Sequence, residues 1–233
     1  MRKKALTFQF TSWIFLLTAT AGFMNAVSFI LFSVTNSHHT GTLTNAMILL
    51  LEGDFTKVSR LLMIPLAFLI GAIASGFLFP EQVFKFKRRY GYLQLGSGIA
   101  IAIGSRFINN PWWIAMGTAF ILGLQNGMFV YYKGIIVRTT HMSGNLTDAG
   151  LAIGRHLAGK STQLWKARFQ FMNLLFFLLG GLLGASLLIR TTVDIWLVAS
   201  GLYLFLGLLY FLLYHHVNHL KLNEEQLFAY LRK

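Results

Sequence analysis

His38-His39-Thr40-Gly41-Thr42-Leu43-Thr44-Asn45-Ala46 returns later in the chain as His141-Met142-Ser143-Gly144-Asn145-Leu146-Thr147-Asp148-Ala149. The shared pattern is H-x-[T/S]-G-x-L-T-[N/D]-A, with five identities and two like-for-like exchanges. A match this long inside one chain marks an internal duplication, which has to be settled before any other feature is read. Working outward, Gly22-Phe23-Met24-Asn25 precedes the first copy and Gly123-Leu124-Gln125-Asn126 the second. Phe68-Leu69-Ile70-Gly71 follows the first and Phe177-Leu178-Leu179-Gly180 the second. The halves meet near Asn109-Asn110-Pro111, giving a first repeat over 1–109, a second over 110–215 and a tail over 216–233.

The medium of the fold follows from composition. Hydrophobic residues make up 55% and charged residues 12%, mean hydropathy is +0.61, and several apolar runs exceed ~18 residues, which sets aside a soluble globule. The net charge of +13 raises nucleic acid as a partner, but the basic residues stand in short clusters between apolar spans, the pattern of membrane loops facing anionic lipid. Cysteine is absent, so disulfide and thiolate chemistry are excluded. Arg2-Lys3-Lys4 before an apolar run imitates a signal peptide, yet the run continues to about Val34 and reads as a span.

Full-length apolar segments cover about 11–34, 58–79, 90–108, 112–132, 169–189 and 193–214. Each is long enough to cross a hydrocarbon core of ~30 Å. The duplicated stretch opens two shorter segments, 41–52 and 144–157, which as helices reach only ~18 to 21 Å and fall short of a crossing. With the N-terminus inside and neither short helix crossing, only Lys57, Arg60, Arg106 and Arg190 of the 20 basic residues lie outside. Eight crossings would move more of them out, so basic-residue placement favours six. Three crossings per half is an odd number, so the second half must be inserted upside down relative to the first. The expected fold is therefore all-α and integral to the membrane, with six spans and two short re-entrant or broken helices in two inverted repeats, the architecture that places a transporter's substrate site at the bilayer midplane.

In this arrangement Thr40 and Ser143 are expected as N-caps, with Gly41 and Gly144 turning the backbone. The two helix N-termini would face each other near mid-membrane, each with unpaired N–H groups and about half a positive charge, suited to an anion or an oxygen-rich solute. The candidate substrate-binding set is Asn25, Ser28, Thr40, Gly41, Thr42, Thr44, Asn45, Gln125, Asn126, Ser143, Gly144, Asn145 and Thr147. Polar groups at this depth either line a cavity or satisfy irregular backbone, and Asn25 and Asn126 suit both roles. Asp148, the one acidic residue away from the ends of the apolar segments, is a coupling or gating candidate, or else simply offsets the helix dipole. His38 and His141 join it as coupling candidates, and His38, His39, His141 and Asp148 form the alternative reading, a metal-dependent protein or intramembrane enzyme. No nucleophile with a base partner and no ligand set at recognised spacing stands in the sequence, so a permease is preferred, without cofactor or bound metal.

The small-residue pairs Gly71/Ser75, Gly180/Gly184 and Gly181/Ala185 are expected to pack one repeat on the other. Trp13, Trp112, Trp113, Trp165 and Trp196 are expected in interfacial belts, with His215, His216 and His219 at the cytoplasmic headgroups and 223–233 lying on the inner surface.

The residues Gly22 to Ala26, Thr40-Gly41, Gly123 to Asn126 and Thr139 to Thr147 together resemble the DUF1275 (YoaK-like) family over nearly the whole chain. The resemblance implies a bacterial multi-pass membrane protein of about six spans and brings no substrate with it. Asn25 stands where that family often has Asp and His38 where it often has Asn, so a coupling carboxylate is not expected on the first helix. The expected setting is the bacterial cytoplasmic membrane with both termini inside. The expected partners are a small-molecule or ion substrate and the lipid bilayer, with a homodimer left open and no nucleic acid.

Overall fold

A computed structural model describes residues 2–80, 86–128, 135, 137–159 and 164–220. Lys85, Lys133, Lys160 and the tail from 221 to 233 lie outside the described residues, and with them the surface helix expected at 223–233. Among the described residues the chain forms eight helices: α1 (Arg2–Phe32), α2 (His39–Leu51), α3 (Phe55–Leu78), α4 (Arg89–Phe107), α5 (Pro111–Gly127), α6 (Met142–Leu157), α7 (Leu164–Arg190) and α8 (Ile195–His219). Four of them are long and apolar enough to cross a membrane, over Leu6–Phe32, Phe55–Leu78, Leu164–Arg190 and Ile195–His219. Outward-facing Ile73, Phe77, Leu182 and Leu212 are all more than half exposed, an apolar coat suited to lipid.

Local chemistry sets the helix ends. Asp54, Asn110 and Asp194 cap α3, α5 and α8 by accepting backbone N–H groups, from Lys57, Trp112, and Trp196 with Leu197 respectively. Pro111 opens α5, where its missing N–H has no intrahelical partner to lose. At the end of α1, Ser33 takes a positive φ of 57°, turning the chain back toward the helix it has just left.

Helix pairs build the bundle. The closest-packed pairs are α1 with α7, α3 with α5, and α4 with α8, while α2 rests on α3 and α6 on α7. Exchanging the two halves turns α1–α7 into α5–α3 and α2–α3 into α6–α7, and leaves α4–α8 as itself. Glycine makes the closeness possible. A Cβ at Gly22 would overlap the Phe177 carbonyl oxygen, and one at Gly123 that of Phe68; one at Gly180 would overlap the Ala19 oxygen, and one at Gly71 that of Phe120. Each contact in one half thus has its counterpart in the other, and these small residues pack half against half.

Two expectations are corrected. Trp13 is fully buried rather than interfacial: its ring lies 4.7 Å from that of Tyr210 and its Nε1 donates to the Leu206 carbonyl at 3.1 Å. In a segment apolar on every side, periodicity does not reveal which face turns inward. The last helix also runs past the end expected for the span at 214 and takes in His215, His216 and His219, with His215 and His219 edge to face at 4.5 Å.

Candidate functional site

The site is built on the two backbone stretches that lead into α2 and α6. Chain leaving α1 runs back along it through 33–38, and Asn25 holds it there: its Oδ1 accepts the Ser37 N–H at 3.1 Å, and its Nδ2 donates to the Ser37 Oγ at 2.8 Å and to the Ala21 carbonyl at 2.8 Å. Asn126 does the same for the second half, its Oδ1 accepting the N–H of Thr140, the counterpart of Ser37, at 3.3 Å. Backbone that has left a helix inside an apolar bundle must find partners in protein, and these two asparagines supply them.

The helices then start earlier than expected. The N-caps are His38 and His141, neither making a side-chain cap bond, and Thr40 and Ser143 lie within the first turn. The asparagine clamps fix where the chain turns, a tertiary effect that overrides the capping preference of Thr and Ser. Thr40 and Ser143 serve instead as acceptors, their carbonyls taking hydrogen bonds from Thr44 Oγ1 at 3.0 Å and Thr147 Oγ1 at 3.1 Å.

Behind the two starts lies a polar network inside the bundle. Ser28 Oγ donates to Asn36 Oδ1 at 2.7 Å, and Asn36 Nδ2 donates to Thr118 Oγ1 at 2.6 Å, joining first half to second. Gln125 Nε2 donates to the Leu17 carbonyl and to Thr139 Oγ1, both at 3.0 Å, while its Oε1 accepts from Tyr203 Oη at 2.9 Å. Leu17 is the counterpart of Thr118, and Thr139 that of Asn36, so the two links join equivalent positions of the two halves. All these polar side chains are buried. Asn36, Thr118, Thr139 and Tyr203 carry no signal of this role in sequence, apart from the position of Asn36 and Thr139 two residues before each copy of the motif.

The predicted residues therefore separate into two groups. Asn25, Ser28 and Gln125 are buried, Asn126 is half-buried, and each spends its polar groups on protein. Thr42 and Asn145 are also buried. Thr40, Gly41, Thr44 and Asn45 on α2, and Ser143, Thr147 and Asp148 on α6, are exposed, with Gly144 half-buried. A cavity of about 370 Å³ opens between α1 and α7 and is lined by Asn25, Thr35, His38, Phe29, Phe177 and Leu182 among others. A larger apolar groove of about 470 Å³ lies along α4 and α5, walled by Tyr92, Gly96, Gly104 and Gly117, and meets the polar network only at Thr118. The smaller hollow is the one beside the motif, and its wall is likewise apolar apart from Asn25, Thr35 and His38.

His38 ties the two halves together. It sets its ring edge to face with Phe177 of the second half at 5.4 Å, while His39 sets its ring against Phe68 of its own half at 4.7 Å. The alternative metal reading is not met by this geometry: among the described residues no three His, Asp or Glu side chains gather as a metal site. Asp148 is exposed in the second turn of α6.

A family model described as "Protein of unknown function (DUF1275)" matches residues 13–209. No curated protein and no solved structure matches the chain.

Proposed function

The chain belongs to the DUF1275 family, a membership that carries no activity with it, and from that premise we propose that it is a small permease moving a small polar or anionic solute across a bacterial cytoplasmic membrane. The observation that carries the proposal is the matched pair of clamped chain returns, Asn25 holding Ser37 and Asn126 holding Thr140, which set two equivalent short-helix starts beside buried polar side chains in an otherwise apolar bundle. Helix starts present unpaired N–H groups and positive dipole ends, which favour an anion or the oxygen of a polar solute.

The reading takes six helices as crossings, adding α4 and α5, whose 19 and 17 residues amount to ~26 to 28 Å of helix. α2 and α6 enter and leave on the same side, and the halves are inverted repeats. The contacts that exchange between halves support this, as do the basic residues: Arg88, Arg89, Lys166 and Arg168 stand where α4 and α7 begin, while Arg106 and Arg190 stand where those helices end. Both termini are cytoplasmic. Asp148, on the exposed side of α6, is the coupling or gating group, since an intramembrane carboxylate costs ~2.5–3.5 kcal/mol at mid-membrane and persists there for function. The protein works as a transporter rather than an enzyme.

Proteoliposomes loaded with a panel of small anions and uncharged polar solutes test the proposal. Flux of at least one above protein-free liposomes is expected. No flux of any, from protein shown to be folded and inserted, would end the permease reading.

A further inference from the structure

The two helix starts are equivalent in sequence and different in state. At the start of α6 the imidazole of His141 lies over Gly144, where an added Cβ would fall 2.5 Å from its Nδ1 and Cε1. At the start of α2 nothing lies within 4 Å of the same point on Gly41. His38, the counterpart of His141, has turned away from its own helix and lies against Phe177.

The repeat pairs Phe177 with Phe68, so the matching resting place for His141 is the ring of Phe68 on α3. That ring is already engaged. His39 lies against it at 4.7 Å with an interplanar angle of 67°, and the counterpart of His39 in the second repeat is the slender, flexible Met142. Both ring nitrogens of His39 are buried without a hydrogen-bond partner, so packing on Phe68 rather than a polar contact keeps the ring in place.

We infer that His39 is a positioning residue: by occupying Phe68 it denies that ring to His141, keeps the His141 imidazole over Gly144, and so leaves the α2 start open while the α6 start is covered. The exclusion is a matter of packing and does not depend on any transport activity. Where the protein acts as the permease proposed above, it decides which of two equivalent starts is free to meet solute.

The test uses the full-length protein in nanodiscs with ¹³C-labelled histidine, the His141 signal being assigned by its loss in His141→Gln. His39→Met gives the first repeat the residue of the second. The expected result is a ring-current shift of the His141 signal that Phe68→Leu, added to His39→Met, abolishes. Gly144→Ala is expected to lower Tm and displace the His141 signal in the native background, and to lower Tm by less once His39→Met has released the ring. An unmoved His141 signal in His39→Met, or Tm losses that simply add, overturns the inference. Should His39→Met fail to fold, His39→Leu serves in its place, and Gly144→Ala alone still decides: an unchanged His141 signal with an unchanged Tm means that the ring does not cover Gly144.

Discussion

Asn25 grips Ser37 at two points, accepting its N–H at 3.1 Å and donating to its hydroxyl at 2.8 Å. The contact spans the turn at Ser33 and fixes how far the chain returns along α1 before α2 begins. Asn25→Ala leaves the Ser37 N–H without its partner in a bundle that admits little water. A loss of about 1–3 kcal/mol is expected, read as a lower Tm in detergent. Asn126→Ala removes one longer bond to Thr140 and is expected to cost less. A Tm unchanged in both would remove the clamp from the account of the fold.

Four glycines set the distance between helices. At Gly22, Gly71, Gly123 and Gly180 a Cβ would overlap a carbonyl oxygen of the facing helix, and backbone yields far less readily than a side chain. Alanine at any of them is expected to cost about 1–3 kcal/mol or to prevent folding. At Gly76 and Gly117 nothing lies within 4 Å of the added atom, so alanine there is expected to be neutral or slightly stabilising by its better helix propensity. Thermal unfolding of the set, ranked by Tm, checks the contrast, and a loss at Gly117 as large as at Gly123 would contradict it.

The duplication, the short helices and the small-residue packing faces were all legible in the chain, because each leaves a periodic or repeated mark. The helix starts were legible only to within two residues: Thr40 and Ser143 carry the better capping chemistry, but the asparagine clamps on Ser37 and Thr140 decide the turn from one helix away. The network through Asn36, Thr118, Thr139 and Tyr203 was not legible, since single polar residues in apolar segments do not announce their partners. Trp13 was misread for a related reason: a tryptophan near the end of a span suits an interfacial belt as well as a core, and only the facing α8 places it in the core.

Acid should weaken the start of α3. Asp54 caps that helix, accepting the Lys57 N–H at 3.0 Å and pairing with Lys57 Nζ at 2.8 Å, and the hydrogen bond from the Lys57 side chain, then that from its backbone, hold the carboxyl below its ordinary value of 3.8. A carboxyl whose folded value is depressed contributes stability that is present above the unfolded value and is lost as pH falls through the folded one. Asp54→Ala is therefore expected to lower Tm slightly at pH 7, with the gap to the native protein closing below about pH 3.8. The carboxyl is exposed, so the effect is small, and a gap that stays constant down to pH 3 would show that the charge contributes nothing.

Asp148 differs from its counterpart Asn45 in one respect, a titratable oxygen in place of an amide nitrogen. Asp148→Asn makes the second repeat copy the first, in a helix position the fold already accepts in α2, so an unchanged Tm is expected. Solute flux in proteoliposomes is expected to lose its dependence on pH. Flux that keeps its pH profile in the variant assigns the coupling proton elsewhere.

The number of crossings is open to direct chemistry, because the chain has no cysteine of its own. Single cysteines at Lys57, Arg88, Arg106, Arg155 and Arg190 can be labelled in intact cells with a membrane-impermeant maleimide. Six crossings, with α2 and α6 returning to the side they entered from, put Lys57, Arg106 and Arg190 outside and Arg88 and Arg155 inside. Eight crossings keep Arg155 inside and Arg190 outside, but carry Lys57 and Arg106 in and Arg88 out. Positions 57 and 88 thus decide between the two, while 155 and 190 serve as controls that must not change. Label at 57 with protection at 88 is expected, because the 13 residues of α2 amount to only ~20 Å of helix, too little for a hydrocarbon core of ~30 Å. The reverse pattern would mean that α2 crosses, and the proposal of six crossings in inverted repeats would fall.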